Sequence, residues 1–243
     1  MSRVAIIGGG AAGMMAGIAA GICGHEVHIY EKNEKLGKKI YITGKGRCNL
    51  TNASDMETIL KNVVTNPKFM YSALYTLSND MVIDMFNNEM GVETKTERGN
   101  RVFPVSDKAS DVTGGLTRRL HELGVNIHLG CDIKDILCEE IEGGSKKTVS
   151  GIIFKDGTVE KADSVIVATG GFSYRSTGSD GAGYEFAKKT EDNDAVKHMQ
   201  ALAKELSIVI PVSFYEAGDN RQLFNSVAVI NAEIGRASCR ERV

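Results

Sequence analysis

The pattern opens with a run that has no polar position, Val4-Ala5-Ile6-Ile7, which is of strand length. Gly8-Gly9-Gly10-Ala11-Ala12-Gly13 follows at once, and Met14 to Ile22 is then rich in helix formers and small residues. Glu26 to Glu31 (EVHIYE) reads as a second strand ending in an acid. Further on, Val112, Leu116, Leu120 and Leu123 recur at helical spacing and predict a helix over 107–123, with a serine–aspartate start suited to capping. Val125 to Leu129 predicts a parallel strand. Ile133 to Ile141, Thr148 to Phe154 and Thr158 to Val159 predict a β-meander, with Asp156-Gly157 as a hairpin turn. A last apolar run, Val165-Ile166-Val167, leads into Ala168-Thr169-Gly170-Gly171. Beyond Thr190 the pattern changes to a polar stretch, a helical segment to Leu206, a strand over 207–214, a polar turn over 215–222 and a strand over 223–231.

Composition narrows the class. The 243 residues are 42% hydrophobic and 25% charged, as in ordinary globular proteins. A net charge of -2 argues against a nucleic-acid partner, and no apolar run approaches the ~20 residues of a membrane span. The N-terminus is apolar but short and broken by glycines, so it is not read as a signal peptide. Five scattered cysteines without a CxxC pair predict neither a zinc site nor a disulfide framework, and the expected location is the reducing cytoplasm.

The strand, glycine turn, helix, strand and acid form a dinucleotide-binding fingerprint. Gly8 permits the tight turn out of the strand, and Gly10 leaves room for a pyrophosphate against the backbone. Gly13 lets the helix lie close to the strand. The helix N-terminus then presents unpaired N–H groups to the phosphates. Glu31, at the end of the second strand, can accept from both hydroxyls of an adenosine ribose and would repel a 2′-phosphate. The fingerprint alone does not separate FAD from NAD.

Next comes GKKIYITGKGRCNLTN (Gly37 to Asn52), an irregular basic loop rich in donors, expected to face the diphosphate and the far half of a cofactor. This stretch resembles the second signature of the BaiN/YhiN-like NAD(P)/FAD-dependent flavoproteins of the aminoacetone-oxidase type. Arg101 to Ser106 with Lys108-Ala109, the run from Val165 to Gly171, and Ser173-Tyr174 with Thr177 to Tyr184 match further segments of that family in order. Arg175 stands where the family usually has proline, and DGAG (Asp180 to Gly183) replaces TGDG. The resemblance covers residues 3 to 190. It implies an α/β fold with a Rossmann-type FAD-binding domain, incomplete here and carrying the inserted antiparallel β-meander; the pattern beyond Thr190 adds a small αββ fragment. The meander before a strand ending in ATGG favours FAD over NAD.

The candidate cofactor-binding residues are Gly8, Gly10, Ala11, Ala12, Gly13, Glu31, Lys32, Lys38, Arg47, Cys48, Asn49, Ile133, Thr169 and Gly170. The resemblance implies FAD chemistry, with NAD(P)H as electron donor and a small organic substrate, or oxidation of a small amine. No acid or base stands out as catalytic. Cys48 has no CxxC partner and reads as a small buried thiol. Arg47 is open between a charge beside the cofactor and a structural ion pair. The five histidines read as structural. Oligomeric state is not legible.

The last third reads differently. AVKHMQALAKELSIVIPVSFYE with FNSVAVINA resembles N-carbamoylputrescine amidase, a carbon–nitrogen hydrolase of the nitrilase type with a Glu, Lys and Cys triad. The segment falls between the first Glu and the Lys, so Glu205 and Glu216 carry no triad role. The final ten residues, IGRASCRERV, are similar to a short-read sequencing adapter translated in one frame. The expected organisation is therefore a truncated Rossmann-type domain over 1–190, a nitrilase-like fragment over 191–233 and an artefactual tail over 234–243, a chimera that leaves part of the sheet uncovered.

Overall fold

The computed structural model describes residues 1–64, 67–140, 147–191, 210–217, 223–231 and 235–242, with the backbone alone described at 140, 147, 187–191 and from 210 onward. Strand β1 (Arg3–Ile7) lies inside a four-stranded parallel sheet with β2 (Glu26–Glu31) on one side. Between them runs helix α1 (Ala11–Ile22), whose sequence, AAGMMAGIAAGI, has no polar residue. Its small residues let it lie tightly on the sheet: a Cβ at Gly17 would stand 2.9 Å from both Ile29 and Leu120.

The chain then leaves the sheet. A kinked 3-10 turn (Ile40–Gly46) leads to β3 (Thr51–Asn52) and to the short helices α2 (Met56–Lys61), α3 (Tyr71–Thr76) and α4 (Asn79–Asp84). Asp55 and Ser78 cap α2 and α4 by accepting from Thr58 N and Met81 N. Strands β4 (Thr94–Glu97) and β5 (Arg101–Pro104) complete a small antiparallel sheet in the order β3-β5-β4. Helix α5 (Ala109–Glu122) returns the chain to β6 (Asn126–Leu129), which pairs parallel with β2.

The meander follows as β7 (Ile133–Glu140), β8 (Lys147–Phe154) and β9 (Val159–Lys161), all antiparallel. Strand β10 (Ser164–Val167) then inserts beside β1, giving the order β10-β1-β2-β6. Helix α6 (Ala182–Glu191) closes this part.

The unbroken apolar run of β1 follows from burial on both faces. Val4, Ile6, Val27 and Ile29 join Met14, Ile18, Leu116 and Leu120 under the helices. Ala5, Ile7 and Tyr30 pack with Ile133 and Ile152 of the meander and Phe186 of α6. Each large buried side chain contributes about 1.5–3 kcal/mol of apolar burial.

Two expectations change. Helix α5 begins at Ala109, not residue 107: Asp107 has φ +56, outside the helical region, and Lys108 stands at the N-cap without a side-chain capping bond. The Asp107 carboxylate is engaged instead by Lys95 (2.7 Å) and Arg47 (3.2 Å). In the last third, the expected helix and residues 207–209 lie outside the described residues, and strand β11 (Ile210–Ala217) runs past the expected end at Phe214 into the predicted turn. Strand β12 (Leu223–Asn231) is as predicted, and residues of the expected artefactual tail form β13 (Gly235–Arg242), antiparallel on β12. The free edge of β12 offers unpaired N–H and C=O groups that any proline-free extended segment can meet. Both expected strands of the αββ fragment are present as β11 and β12, joined by β13.

Candidate functional site

The sheet changes direction at β1. The chain moves outward through β2 to β6, then crosses to β10 on the other side. At such a switch point the loops after the strands diverge and leave a crevice. Here the crevice is a cleft of about 360 Å³, lined by the ends of β1 (Ile7, Gly8), β2 (Tyr30, Glu31) and β10 (Val167, Ala168).

The glycine turn shapes its floor. Gly8 has φ +107, and a Cβ there would stand 2.5 Å from the Ala168 carbonyl oxygen. Gly13 is tighter still: a Cβ would lie 1.8 Å from the Gly8 oxygen, so this residue sets the approach of α1 to β1 and does not itself line the cleft. Gly10 is the opposite case. It is the N-cap of α1, nothing lies within 4 Å of where its Cβ would be, and it faces the cleft with Ala11 and Ala12. The first turn of α1 has no side-chain cap and no acidic residue, so its partial positive charge is not met by a side chain of its own.

Glu31 is 7% exposed. Its Oε2 accepts from Gly9 N (2.7 Å), and its Oε1 accepts from Asn33 N (2.8 Å) and Asn33 Nδ2 (2.6 Å). An ionised carboxylate has about four acceptor sites, so one remains, on Oε2. That site faces the position expected for the adenosine ribose.

Segment 173–180 contributes Thr177, Gly178 and Ser179 to the cleft wall and is tied to segment 32–39 at three points. Lys32 Nζ bonds Asp180 Oδ2 (2.6 Å), Asn33 Nδ2 donates to the Thr177 carbonyl (3.2 Å), and Lys39 Nζ reaches Ser173 Oγ (3.1 Å). Lys38 bonds Asn33 Oδ1 and Glu34 Oε2. Arg175, the residue that departs from the family pattern, lies over the Phe172 ring at 5.0 Å.

Of the candidates from sequence, Gly8, Gly10, Ala11, Ala12, Glu31, Lys32, Lys38, Ile133, Thr169 and Gly170 line this one cleft. Arg47, Cys48 and Asn49 do not. Arg47 turns to Glu97 (2.9 Å) and Asp107 (3.2 Å), with its guanidinium 4.0 Å over Phe103. Cys48 is buried in the helix-side core with φ +64, and burial pushes its thiol above the ordinary range. Asn49, with its amide nitrogen turned inward, lies 3.2 Å from the carbonyls of Thr51 and Val102. The resemblance placed these three in a cofactor motif, whereas acids fifty and sixty positions later draw the loop to the small sheet. Asn33, Lys39, Thr177 and Ser179 line the cleft and were not singled out, although each lies within or beside a matched motif.

The histidines are structural where described in contact. His28 Nδ1 meets His128 Nε2 at 3.0 Å and its Nε2 meets Glu26 at 2.8 Å, with Tyr30 stacked 4.7 Å from His128. Among the described residues no group of His, Cys, Asp and Glu could hold a metal, and no helix is long and apolar enough to cross a membrane.

With this geometry in hand, known proteins agree on the architecture. Residues 2–196 match the HI0933-like protein Rossmann domain. The chain is 35% identical over 191 residues to the 3-dehydro-bile acid delta(4,6)-reductase of Clostridium scindens, covering 77% of this chain and 44% of that protein. It is 28% identical over 185 residues to the ribosomal RNA dihydrouridine synthase of Escherichia coli, covering 76% and 43%. It therefore spans less than half the length of these relatives. A separate match of 50 residues, 46% identical, is to N-carbamoylputrescine amidase of Oryza sativa subsp. japonica, covering 21% of this chain and 16% of that protein. Among solved structures, the 3-ketosteroid delta1-dehydrogenase of Sterolibacterium denitrificans superposes with a TM-score of 0.54 at 16% identity, over 71% of this chain and 48% of that one. At that identity the likeness is one of fold.

Proposed function

The chain belongs to the HI0933-like Rossmann-domain family, and from that membership we propose that its cleft binds FAD and that the protein is an FAD-dependent oxidoreductase acting between NAD(P)H and a small organic substrate. The observation that carries this reading is the convergence of an uncapped α1 N-terminus, an open Gly10 and a buried, backbone-held Glu31 in one cleft at the switch point. The residues present fit the cofactor: the space a Cβ at Gly10 would fill is free, and Glu31 keeps one acceptor site for a ribose hydroxyl. In this reading the Gly8 to Ala12 backbone holds the diphosphate. Lys32, Lys38, Ile133, Thr169 and Gly170 bind and orient the rest, and segment 173–180 limits water. FAD, when bound, supplies hydride acceptance and donation.

The similarity to a bile-acid reductase supports reduction of a small molecule. A base in RNA is the second substrate reading, supported by the dihydrouridine synthase relative and set against the net charge of -2. Four free cysteines among the described residues support a reducing, cytoplasmic location. Residues 191–233 contribute no hydrolase chemistry in this reading, since no triad position falls within them, and residues 234–243 are translated adapter. One genomic clone carrying both joins unbroken would overturn the chimera reading. The cofactor assignment is tested by the absorbance spectrum of the 243-residue chain after incubation with FAD and desalting. Retained flavin near one-to-one supports it, and a colourless, folded protein refutes it for this chain.

A further inference from the structure

We propose that Lys39 supplies the cation that meets the diphosphate of the dinucleotide in this cleft, an inference that rests on the FAD reading above. The charges on the cleft wall single it out. Lys32 is neutralised by Asp180 at 2.6 Å, Lys38 by Glu34 at 3.3 Å, and Asp132 by Lys155 at 2.5 Å. Glu31 is held by backbone and amide N–H groups. Lys39 also lines the cleft and is partly buried, yet among the described residues no carboxylate comes within 4 Å of it; its hydrogen bond is to the neutral Ser173 hydroxyl. Partial desolvation pulls its ammonium below the usual lysine range, with no opposing charge to restore it. A cation withdrawn from water without a counter-charge is unfavourable until an anion arrives.

Its placement points to the diphosphate rather than to a sugar or ring. Gly37 N donates to the Gly9 carbonyl at 2.8 Å, which pins this segment to the glycine turn. Lys39 follows two residues later, about 7 Å of chain at most. The lysine therefore starts beside the uncapped N-terminus of α1, and the two positive features converge on one region. Lysine binds phosphate as a flexible point charge, without the planar geometry arginine requires.

The test compares wild type, Lys39→Gln, Lys39→Arg and Ser173→Ala for binding of FAD, ADP and adenosine by calorimetry, with thermal melts to establish folding. Ser173→Ala removes the hydroxyl contact and keeps the ammonium. We expect Lys39→Gln to weaken FAD and ADP alike by roughly ten- to hundredfold. Adenosine binding should stay unchanged, Lys39→Arg should recover part of the loss, and Ser173→Ala should lose far less than Lys39→Gln. If Lys39→Gln binds both ligands as wild type does, the inference fails and the FAD reading stands. Equal losses in Lys39→Gln and Ser173→Ala would show that the contact with segment 173–180 matters rather than the charge, and would also overturn it. If wild type binds neither FAD nor ADP, the FAD reading itself is lost and the inference with it.

Discussion

Two glycines three positions apart in one motif should fail in opposite ways. At Gly13 an alanine Cβ would stand 1.8 Å from the Gly8 oxygen, a backbone atom that cannot swing aside. Helix α1 would have to retreat from β1 by more than 1 Å. Overpacking of this kind costs about 1–3 kcal/mol, toward the upper end against backbone. Alanine returns roughly 1 kcal/mol of helix propensity, leaving a net loss near 2 kcal/mol. For a chain of this size that is a fall in Tm of about 4–8 °C. At Gly10, φ is -76 and nothing lies within 4 Å of the added methyl. Gly10→Ala should therefore melt within about 0.5 kcal/mol of wild type, while its methyl stands in the cleft and weakens FAD binding by about tenfold or more. Thermal unfolding and flavin titration of both variants are the assays. A Gly10→Ala protein that melts low, or a Gly13→Ala protein that melts like wild type, would refute the assignment of space to one and contact to the other.

Four further outcomes follow from particular contacts. Glu31→Gln sets an amide NH2 among the donors Gly9 N, Asn33 N and Asn33 Nδ2, and should lose about 1–3 kcal/mol of stability in a denaturant melt as well as FAD affinity. Arg47→Met should lower Tm modestly and leave FAD affinity unchanged, because the residue serves Glu97, Asp107 and Phe103 rather than the cleft; a large loss of affinity would contradict this. His128 has its folded pKa lowered from 6.5, first by burial and then by His28. Its contribution to stability is thus complete above about pH 6.5 and is lost as pH falls through the folded value, so Tm measured from pH 8 to 5 should fall faster in wild type than in His128→Gln. Thiol labelling mapped by mass spectrometry should reach exposed Cys23 well before buried Cys48.

The parallel core was legible because its signals are local. The run 4–7, the all-apolar α1 and the 112–116–120 spacing each state their own burial, and both faces of β1 and β2 are covered. What stayed hidden depends on distant partners. The donors of Arg47 and Asn49 looked equally fit for a phosphate, and only Glu97, Asp107 and Val102, far along the chain, show where they turn. Asp107 looked like a helix cap because a cap needs only a short acid; the pull of Lys95 toward it is not local information. Lys39 lay inside a motif already noticed and Asn33 just past another, but their importance comes from segment 173–180, over 130 residues away.

That β10 lies against β1 bears on the order of assembly. Strand β1 pairs with β2 about two dozen residues away, but with β10 through Val4 and Ser164, 160 residues apart. The first pairing can form as soon as α1 has folded back; the second waits for the small sheet, α5 and the meander to be made, and long loop closure is slow. During synthesis the glycine turn would exist long before Ala168 arrives to close the other wall of the cleft. A nascent chain halted before residue 164 should therefore display the fingerprint yet hold no dinucleotide, and the capacity to do so should appear in one step once β10 has docked.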